Sequence, residues 1–153
     1  MALAEADEYL QCETYPIVRL ETPFVDERGA IQNLTTKGAQ SVAVIVSKAG
    51  SSRASHVHKS DDHLSFVISG RIEYFWQEGL VESDCALPSR FVPLSEIKRV
   101  VVEAGQAFYT PKHVAHTMYF PVDTVFATVS CKSREHADHE ADLIRVQSLK
   151  DAA

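Results

Sequence analysis

The sequence predicts an all-β domain with little helix. Short β-branched and aromatic runs recur along residues 41–130, and turn residues separate them at close spacing. Only residues 3–11 and 133–150 are candidates for helix. No internal repeat or low-complexity tract divides the 153 residues, a length that suits one domain with a core. Together these features indicate a single sandwich or barrel of short strands.

The strands are predicted in chain order. Residues 41–50 form a β-branched run that ends in glycine. Residues 63–77 are predicted to form two strands that turn at Ser69 and Gly70, a typical hairpin signal. Further short strands are expected at 99–105, 106–111, 116–120 and 123–130.

The segments outside these runs have a different character. Residues 78–98 break the strand rhythm and are predicted to form a long loop. The charges of 133–150 indicate mainly a solvated loop that leads into a short final strand or helix. We therefore expect one domain over the whole chain, with a barrel core at about 41–130 and the segments 1–40 and 131–153 packed on it.

Composition excludes several classes of function. A net charge of -6 and a pI near 5.6 provide no basic patch for nucleic acid. No apolar run is long enough to span a membrane, and the acidic, Ala-rich N-terminus lacks the order of a signal peptide. The three cysteines, Cys12, Cys85 and Cys131, are widely spaced and indicate free thiols. We therefore expect a cytoplasmic protein.

Three histidines lie close together in the sequence, just before and at the start of the run 63–77. His56 and His58 are two apart, so on a strand they share a face. His63 re-enters a strand after a turn and shares its face with Ser65 and Val67. If these faces line the interior of a barrel, the imidazoles converge.

A metal ion would satisfy several buried imidazoles at once. An unsatisfied polar group costs roughly 2–7 kcal/mol on burial, depending on the reference state. Imidazole is a suitable ligand for Zn, Cu, Fe and Ni. Four histidine ligands on a six-coordinate ion would leave two open positions, as in a catalytic site. The candidate ligands are His56, His58, His63 and His116, and the expected cofactor is a divalent transition metal (Zn, Fe, Ni, Mn or Cu).

Two spaced motifs resemble those of the cupin superfamily of small β-barrels. The first has Gly50, five residues, His56-Val57-His58, four residues, His63, six residues and Gly70. The family has glutamate where this chain has His63. The second motif has Gly105, five residues, Pro111-Lys112-His113, two residues, His116, three residues and Phe120. His113 and Phe120 replace the family's second glycine and its asparagine. The resemblance implies a jelly-roll-like cupin barrel.

The same resemblance implies a ligand set. His56, His58 and His116 match the family's metal histidines, and His63 takes the place of its glutamate. A shift of one residue would put Asp62 in that role, and this alternative stays open. Exchanging a carboxylate for an imidazole makes the site more positive, which should favour an anionic ligand.

A looser resemblance points to sugar 3,4-ketoisomerases and related dTDP-sugar epimerases. It rests on "RASHVHK" (53–59), on "DERGAIQNL" (26–34), and on Asp142 and Arg145 in the C-terminal tail. In the ketoisomerases a His-x-His pair shuttles protons, generally without metal. The resemblance implies a catalytic role for His58, Arg53 and Lys59. Family members also suggest a homodimer.

Three functions stay open at this stage. The first is an isomerase or epimerase of a small carbonyl compound or nucleotide sugar, and the second is a mononuclear metal-dependent dioxygenase. The third is a cupin that binds a small ligand without catalysis. Other histidines are expected in solvent, namely His113, His136 and His139. Aromatic residues are expected mainly in the core, although Tyr74 and Tyr109 could present hydroxyls to a substrate.

Overall fold

The computed structural model describes residues 14–34, 38–78 and 96–153, and it confirms the all-β fold class. Within these residues, strands predominate and helices are short. The strands are β1 (Ile17–Val18), β2 (Phe24–Asp26), β3 (Gly29–Ile31), β4 (Ser41–Ser47), β5 (Ser52–His58), β6 (His63–Ser69), β7 (Arg71–Glu78), β8 (Lys98–Glu103), β9 (Ala107–Thr110), β10 (Val114–Tyr119), β11 (Thr124–Ser130) and β12 (Leu143–Arg145). The helices are α1 (His136–Asp142) and α2 (Leu149–Ala152).

Two five-stranded antiparallel sheets form the body of the fold. The front sheet has the order β1-β9-β6-β11-β4, and the back sheet has the order β12-β5-β10-β7-β8. β2 and β3 form a separate two-stranded hairpin. Strands adjacent in sequence often lie in different sheets, so the chain passes repeatedly between the two layers, as in a jelly roll.

The main core lies between the two sheets. Val67, Phe108 and Phe126 of the front sheet pack in one cluster with residues of the back sheet. The back-sheet members of this cluster are Ile72, Tyr74, Trp76, Val102, Val114 and Met118. A smaller cluster lies on the outer face of the back sheet, where Leu149 of α2 packs with Val57 and Phe75. The back sheet is therefore buried on both faces near β5, β7 and β10.

The N-terminal and C-terminal segments contribute more structure than the sequence indicated. β1 pairs with β9 and β12 pairs with β5, so both sheets extend beyond the expected core range 41–130. Much of the segment 133–150, expected mainly as solvated loop, forms α1, β12 and part of α2. The expected helix at 3–11, Cys12, Cys85 and most of the loop 78–98 lie outside the described residues. No helix among the described residues is long and apolar enough to cross a bilayer.

The hairpin between β6 and β7 generates a stability prediction. Gly70 has φ +83°, and a Cβ there would overlap the Asp123 carbonyl and lie 2.5 Å from the Thr124 hydroxyl. Gly50 has φ +81°, but a Cβ there would meet nothing within 4 Å. We expect Gly70→Ala to lower the free energy of unfolding by about 3 kcal/mol, and Gly50→Ala by about 1 kcal/mol. Urea unfolding measures both, and equal losses would contradict the steric explanation.

Candidate metal and proton-transfer site

Three histidines of the back sheet form one cluster. His56 and His58 lie on β5, and His116 lies on β10 directly opposite His56. The ring centroids are 4.7 Å apart for His56 and His58, and 4.8 Å apart for His56 and His116. His58 and His116 are 5.4 Å apart. One potential ligand atom from each ring lies within 4.8 Å of the others, so these residues form a three-histidine cluster.

A β-bulge in β5 positions this cluster. His116 pairs with His56, but Thr117 pairs with Ala54, so Ser55 is the extra residue of β5 with no register position opposite it in β10. Ala54 and Ser55 both have positive φ, of 68° and 57°. Bulges bend a strand and redirect its side chains, and they are frequent beside active sites. The bulge therefore sets the register in which His56 meets His116.

Hydrogen bonds determine the tautomers of two of the rings. The Nδ1 of His58 donates to Oδ2 of Asp142 at 2.9 Å, and the Nδ1 of His116 donates to the Val114 carbonyl at 3.1 Å. Each ring therefore carries its lone pair on Nε2. These two Nε2 atoms, and Nδ1 of His56, are buried without a hydrogen-bond partner. The cluster thus holds unpartnered nitrogen atoms that a metal ion or a substrate could engage.

Burial keeps the three rings neutral. It lowers the pKa of His116 to about 3, and the neighbouring His58 adds to this effect. Burial and the other two histidines also lower the pKa of His56. The pKa of His58 is lowered by burial, although its hydrogen bond to Asp142 opposes the shift. Neutral imidazoles are both metal ligands and bases, so the charge state suits either chemistry.

Asp142 is the negative partner of this cluster. Besides His58, its carboxylate accepts hydrogen bonds from the backbone N–H and hydroxyl of Ser60. Burial alone would raise the pKa of Asp142, but the hydrogen bonds from Ser60 and His58 outweigh it and lower the pKa. The charged carboxylate fixes the orientation of the His58 ring, as second-layer carboxylates do in metal sites.

His63 lies outside the three-histidine cluster but forms a second candidate metal group with His58 and Asp61. It lies on the front sheet with its ring centroid 5.1 Å from His58, but its Nδ1 accepts a hydrogen bond from Arg134 at 2.9 Å. The proton of the ring is therefore on Nε2, and neither nitrogen offers a free lone pair. Arg134 also binds Asp61 at 3.0 Å. The expected fourth ligand is thus paired with an arginine in the structure.

The other predicted site residues have partners elsewhere. The carboxylate of Asp62, the alternative ligand, accepts a 2.6 Å hydrogen bond from the Tyr109 hydroxyl. Arg53 donates to the Ser47 hydroxyl and the Val46 carbonyl in β4. The Lys59 ammonium donates to the Ala141 carbonyl at the surface. The structure therefore brings neither Arg53 nor Lys59 into hydrogen-bond contact with the three-histidine cluster.

Two residues that border the cluster were not predicted from the sequence. His139, expected in solvent, is half-buried with its ring centroid 6.0 Å from His58 and 6.2 Å from His56. That expectation is corrected, whereas His113 and His136 are exposed as expected. Arg134, unnoticed in the sequence, is the cation whose charge helps to lower the pKa of His63 and His139. Both lie in the charged tail, where no spacing pattern marks them.

Aromatic side chains border the cluster on the interior side. Tyr74 stacks on His116 with centroids 6.0 Å apart, and Trp76 stacks on Tyr74 at 5.8 Å. Both are buried in the main core, which agrees with the expectation that aromatic residues mainly fill it. The Tyr74 hydroxyl bonds the Thr110 hydroxyl, so Tyr74 and Tyr109 each use their hydroxyls within the protein.

The spacing of the three rings is compatible with a divalent metal ion. With Zn–N distances near 2.0–2.1 Å, two imidazoles on a tetrahedral ion have ring centroids roughly 5 Å apart. The observed separations of 4.7–5.4 Å match this value. His56, His58 and His116 would hold such an ion, which would act as a Lewis acid toward a bound carbonyl.

Known structures share this fold. A sugar 3,4-ketoisomerase from Thermoanaerobacterium thermosaccharolyticum, solved with TDP, has a TM-score of 0.61 at 15% identity over 86% of this chain and 89% of that one. A TDP-quinovose 3,4-ketoisomerase from Campylobacter jejuni has a TM-score of 0.65 at 15% identity, covering 88% and 94%. A dTDP-4-dehydrorhamnose 3,5-epimerase from Elizabethkingia anophelis has a TM-score of 0.60 at 17% identity, covering 79% and 70%.

The likeness to these enzymes lies in the fold. No protein-family model matches the chain, and no curated protein matches it in sequence. The structural similarity nevertheless covers most of the chain and confirms the fold expected from the cupin and sugar-isomerase resemblance.

The depressed pKa values generate a prediction for the metal-free protein. A buried histidine stays neutral when folded but is protonated in the unfolded chain below its ordinary pKa of about 6.5. The unfolded state then binds more protons, so stability is lost as the pH falls below that value. For His116 the loss continues toward a pH of about 3. The loss in the free energy of unfolding that is due to His116 amounts to about 2 kcal/mol at pH 5.

Urea unfolding at pH 7.5 and pH 5, after chelation of metals, measures this loss. His116→Asn should reduce the difference between the two pH values by about 2 kcal/mol. The exposed His136 is a matched control, and His136→Asn should keep the wild-type difference. A His116 variant with the full wild-type dependence would contradict the neutral, buried state of this ring.

Proposed function

We propose that this chain is an isomerase or epimerase of a keto sugar linked to a nucleoside diphosphate. The observation that carries the proposal is the pair of neutral imidazoles, His56 and His58, with the Asp142 carboxylate on Nδ1 of His58. This arrangement leaves Nε2 of His58 as a base in the barrel interior. The fold it shares with TDP-sugar ketoisomerases and epimerases supports the same conclusion.

The chemistry requires proton transfers beside a carbonyl. In a 3,4-ketoisomerisation a base removes the proton on C3, and the electrons of that C–H bond form an enediolate with the C4 carbonyl. A proton returned to C4, and transfer of the C3 hydroxyl proton to the C4 oxygen, then complete the product with no net change in proton count or redox state. His58 would act as base, and His56, 4.7 Å away, could carry the second proton.

Arg134 is a cation beside the site that a substrate could contact. About one-fifth exposed, it holds its guanidinium beside His63 and the Asp61 carboxylate, close enough to lower the pKa of His58 and His56 as well. A guanidinium stabilises an enediolate oxygen or an anionic group of a substrate, and here it would share that group with its Asp61 partner. The solved relatives include a 3,4-ketoisomerase in complex with TDP-4-keto-6-deoxyglucose, which defines the first compound to test.

The direct experiment incubates the protein with TDP-4-keto-6-deoxyglucose in D₂O. Proton NMR should reveal deuterium at the carbon beside the carbonyl and a new 3-keto or 3,5-epimerised product. His58→Asn should abolish the exchange, and His136→Asn should keep it. Wild-type protein that exchanges no deuterium, despite a thermal shift with TDP, would indicate a binding protein and overturn the proposal.

A metal-dependent oxygenase is the second candidate, because the three-histidine cluster also fits a divalent ion. The two functions compete for the same nitrogen atoms, since a lone pair bound to a metal is not available as a base. If the proton-transfer function is correct, chelation preserves isomerase activity and added Zn²⁺ inhibits it. Activity that is lost on chelation and restored by Fe²⁺, together with oxygen consumption, would favour the oxygenase.

Replacement of Asp142 tests how the His58 base is positioned. Asp142→Asn retains the size of the side chain but removes the charge that raises the pKa of His58. We expect kcat to fall about 10–100-fold, with the acidic limb of the pH–rate profile moved to lower pH. Asp138→Asn, an exposed acidic residue on the same helix, is the control. An unchanged profile would argue against an orienting role.

Metal affinity tests the ligand set independently of activity. In calorimetric titration with Zn²⁺, single Ala variants of His56, His58 and His116 should each lose more than about 10–100-fold in affinity. Changes to residues that only hydrogen-bond to metal ligands already cost this much, and loss of a ligand should cost more. His63→Gln should lose much less, because its ring is paired with Arg134. Equal losses for His63 and His116 would restore the four-histidine site.

A further inference from the structure

We infer that Arg134 is an internal cation that occupies a second metal-binding group, formed by His58, Asp61 and His63, and keeps a divalent metal ion out of it. The three residues are buried, and one potential ligand atom from each lies within 4.8 Å of the others. We call them the second metal group. It shares His58 with the three-histidine cluster, so one ion at His58 could take ligands from both. This role of Arg134 is independent of the proposed isomerase activity.

The Arg134 guanidinium contacts two ligand atoms of the second metal group. Its Nη2 lies 3.0 Å from Oδ2 of Asp61 and 2.9 Å from Nδ1 of His63. These two acceptor atoms are 3.9 Å apart. Two ligand atoms of a tetrahedral ion, each about 2.0–2.1 Å from the metal, lie roughly 3.4 Å apart. A small contraction would therefore let both atoms bind one ion if the guanidinium were removed.

The burial of Asp61 requires a positive charge at this position. Its Oδ1 accepts hydrogen bonds from the backbone N–H of Lys132 at 3.2 Å and from the Cys131 thiol at 3.6 Å. Its Oδ2 binds Arg134. A buried carboxylate is stable in its charged form only beside a positive partner, which an arginine or a metal ion can supply. The guanidinium and a metal ion therefore compete for the same oxygen.

Arg134 is held at this position by several contacts. Its Nε also donates to Oδ2 of Asp61, at 3.3 Å, and its backbone N–H donates to the Ser41 hydroxyl at 2.9 Å. Only one-fifth of the side chain is exposed. Hydrogen bonds between an arginine and a carboxylate are among the stronger ones in proteins. A metal ion would therefore have to displace a bound side chain before it could enter the group.

The two carboxylates near His58 have opposite effects on metal binding. Asp142 accepts a hydrogen bond from Nδ1 of His58 and leaves Nε2 of that ring unpartnered, which supports a metal ligand. Asp61 instead holds Arg134, which takes up its negative charge and the Nδ1 lone pair of His63. The three-histidine cluster can thus bind an ion, whereas the neighbouring fourth position is blocked.

Calorimetric titration of the metal-free protein with Zn²⁺ tests the inference. Arg134→Met keeps a long side chain but frees one negative charge and one imidazole lone pair, so we expect the affinity to rise at least about 10-fold. The control is Arg99→Met, since Arg99 pairs with Glu73 at 3.0 Å on β8, and two strands separate β8 from β5. This variant should keep the wild-type affinity. An Arg134→Met protein with wild-type affinity would overturn the inference.

A second replacement shows whether His63 becomes a ligand. In the wild-type background His63→Gln should change the Zn²⁺ affinity little, because the ring is already paired with Arg134. In the Arg134→Met background the same replacement should cost at least about 10-fold, because a ligand is then lost. Equal effects of His63→Gln in the two backgrounds would contradict the blocking role of Arg134.

The stability of the variant provides a separate measurement. Arg134→Met leaves the buried Asp61 charge without its partner, so the metal-free variant should melt at a lower temperature than wild type. Zn²⁺ should raise its melting temperature more than that of wild type, since an ion that binds only the folded state stabilises it. A smaller or equal rise in the variant would count against the inference.

Wild type alone gives a test that does not depend on how the variant folds. Nitrogen NMR of the imidazole rings distinguishes metal-bound from free ring nitrogen atoms. On addition of Zn²⁺, signals of His56, His58 and His116 should shift, and Nδ1 of His63 should keep the signal of a nitrogen bonded to Arg134. Coordination of His63 in the wild-type protein would overturn the inference.

Discussion

The structure depends on the register between β5 and β10. Because His56 lies directly opposite His116, and the bulge at Ser55 maintains this pairing, the two imidazoles are neighbours on adjacent strands. His58 follows on the same face of β5, and its ring is held by the Asp142 carboxylate. A shift of one residue in this pairing would turn each histidine to the outer face of the sheet. The register of backbone pairing therefore brings the three histidines together.

The same nitrogen atoms support two kinds of chemistry that exclude each other. A ring that binds a metal through Nε2 cannot take a proton there, and a ring that acts as base must keep that position free. Burial lowers the pKa values of all three rings, which keeps their lone pairs free for a metal or a proton but weakens the rings as bases. The charges around the cluster are balanced, because the Arg134 guanidinium is paired with Asp61 and the Asp142 carboxylate is bonded to His58. We rank proton transfer first because Asp142 holds the His58 ring with its lone pair on the unpartnered Nε2.

Much of the fold and part of the site were predictable from the sequence. Alternation in 63–69 correctly placed His63, Ser65 and Val67 on the buried face, because a period of two residues follows directly from strand geometry. The spacing of His56, His58 and His116 matched a known motif, and the structure brings these three together. The pairing of His63 with Arg134 was not predictable, since the two are 71 residues apart and the tail carries no periodic signal. The half-buried position of His139 was not predictable for the same reason, because a short charged segment has the composition of a solvated loop.

The position of Asp142 has a consequence for when the three-histidine cluster reaches its final arrangement during folding. Asp142 and His58 are 84 residues apart, and β12 closes onto β5 immediately after α1. The His58 strand is synthesised long before the carboxylate that orients it, whereas His116 precedes that carboxylate by only about 26 residues. Contacts between such distant residues slow folding, because a large loop must close before they form. The oriented state of the His58 ring should therefore form late in the folding of the chain.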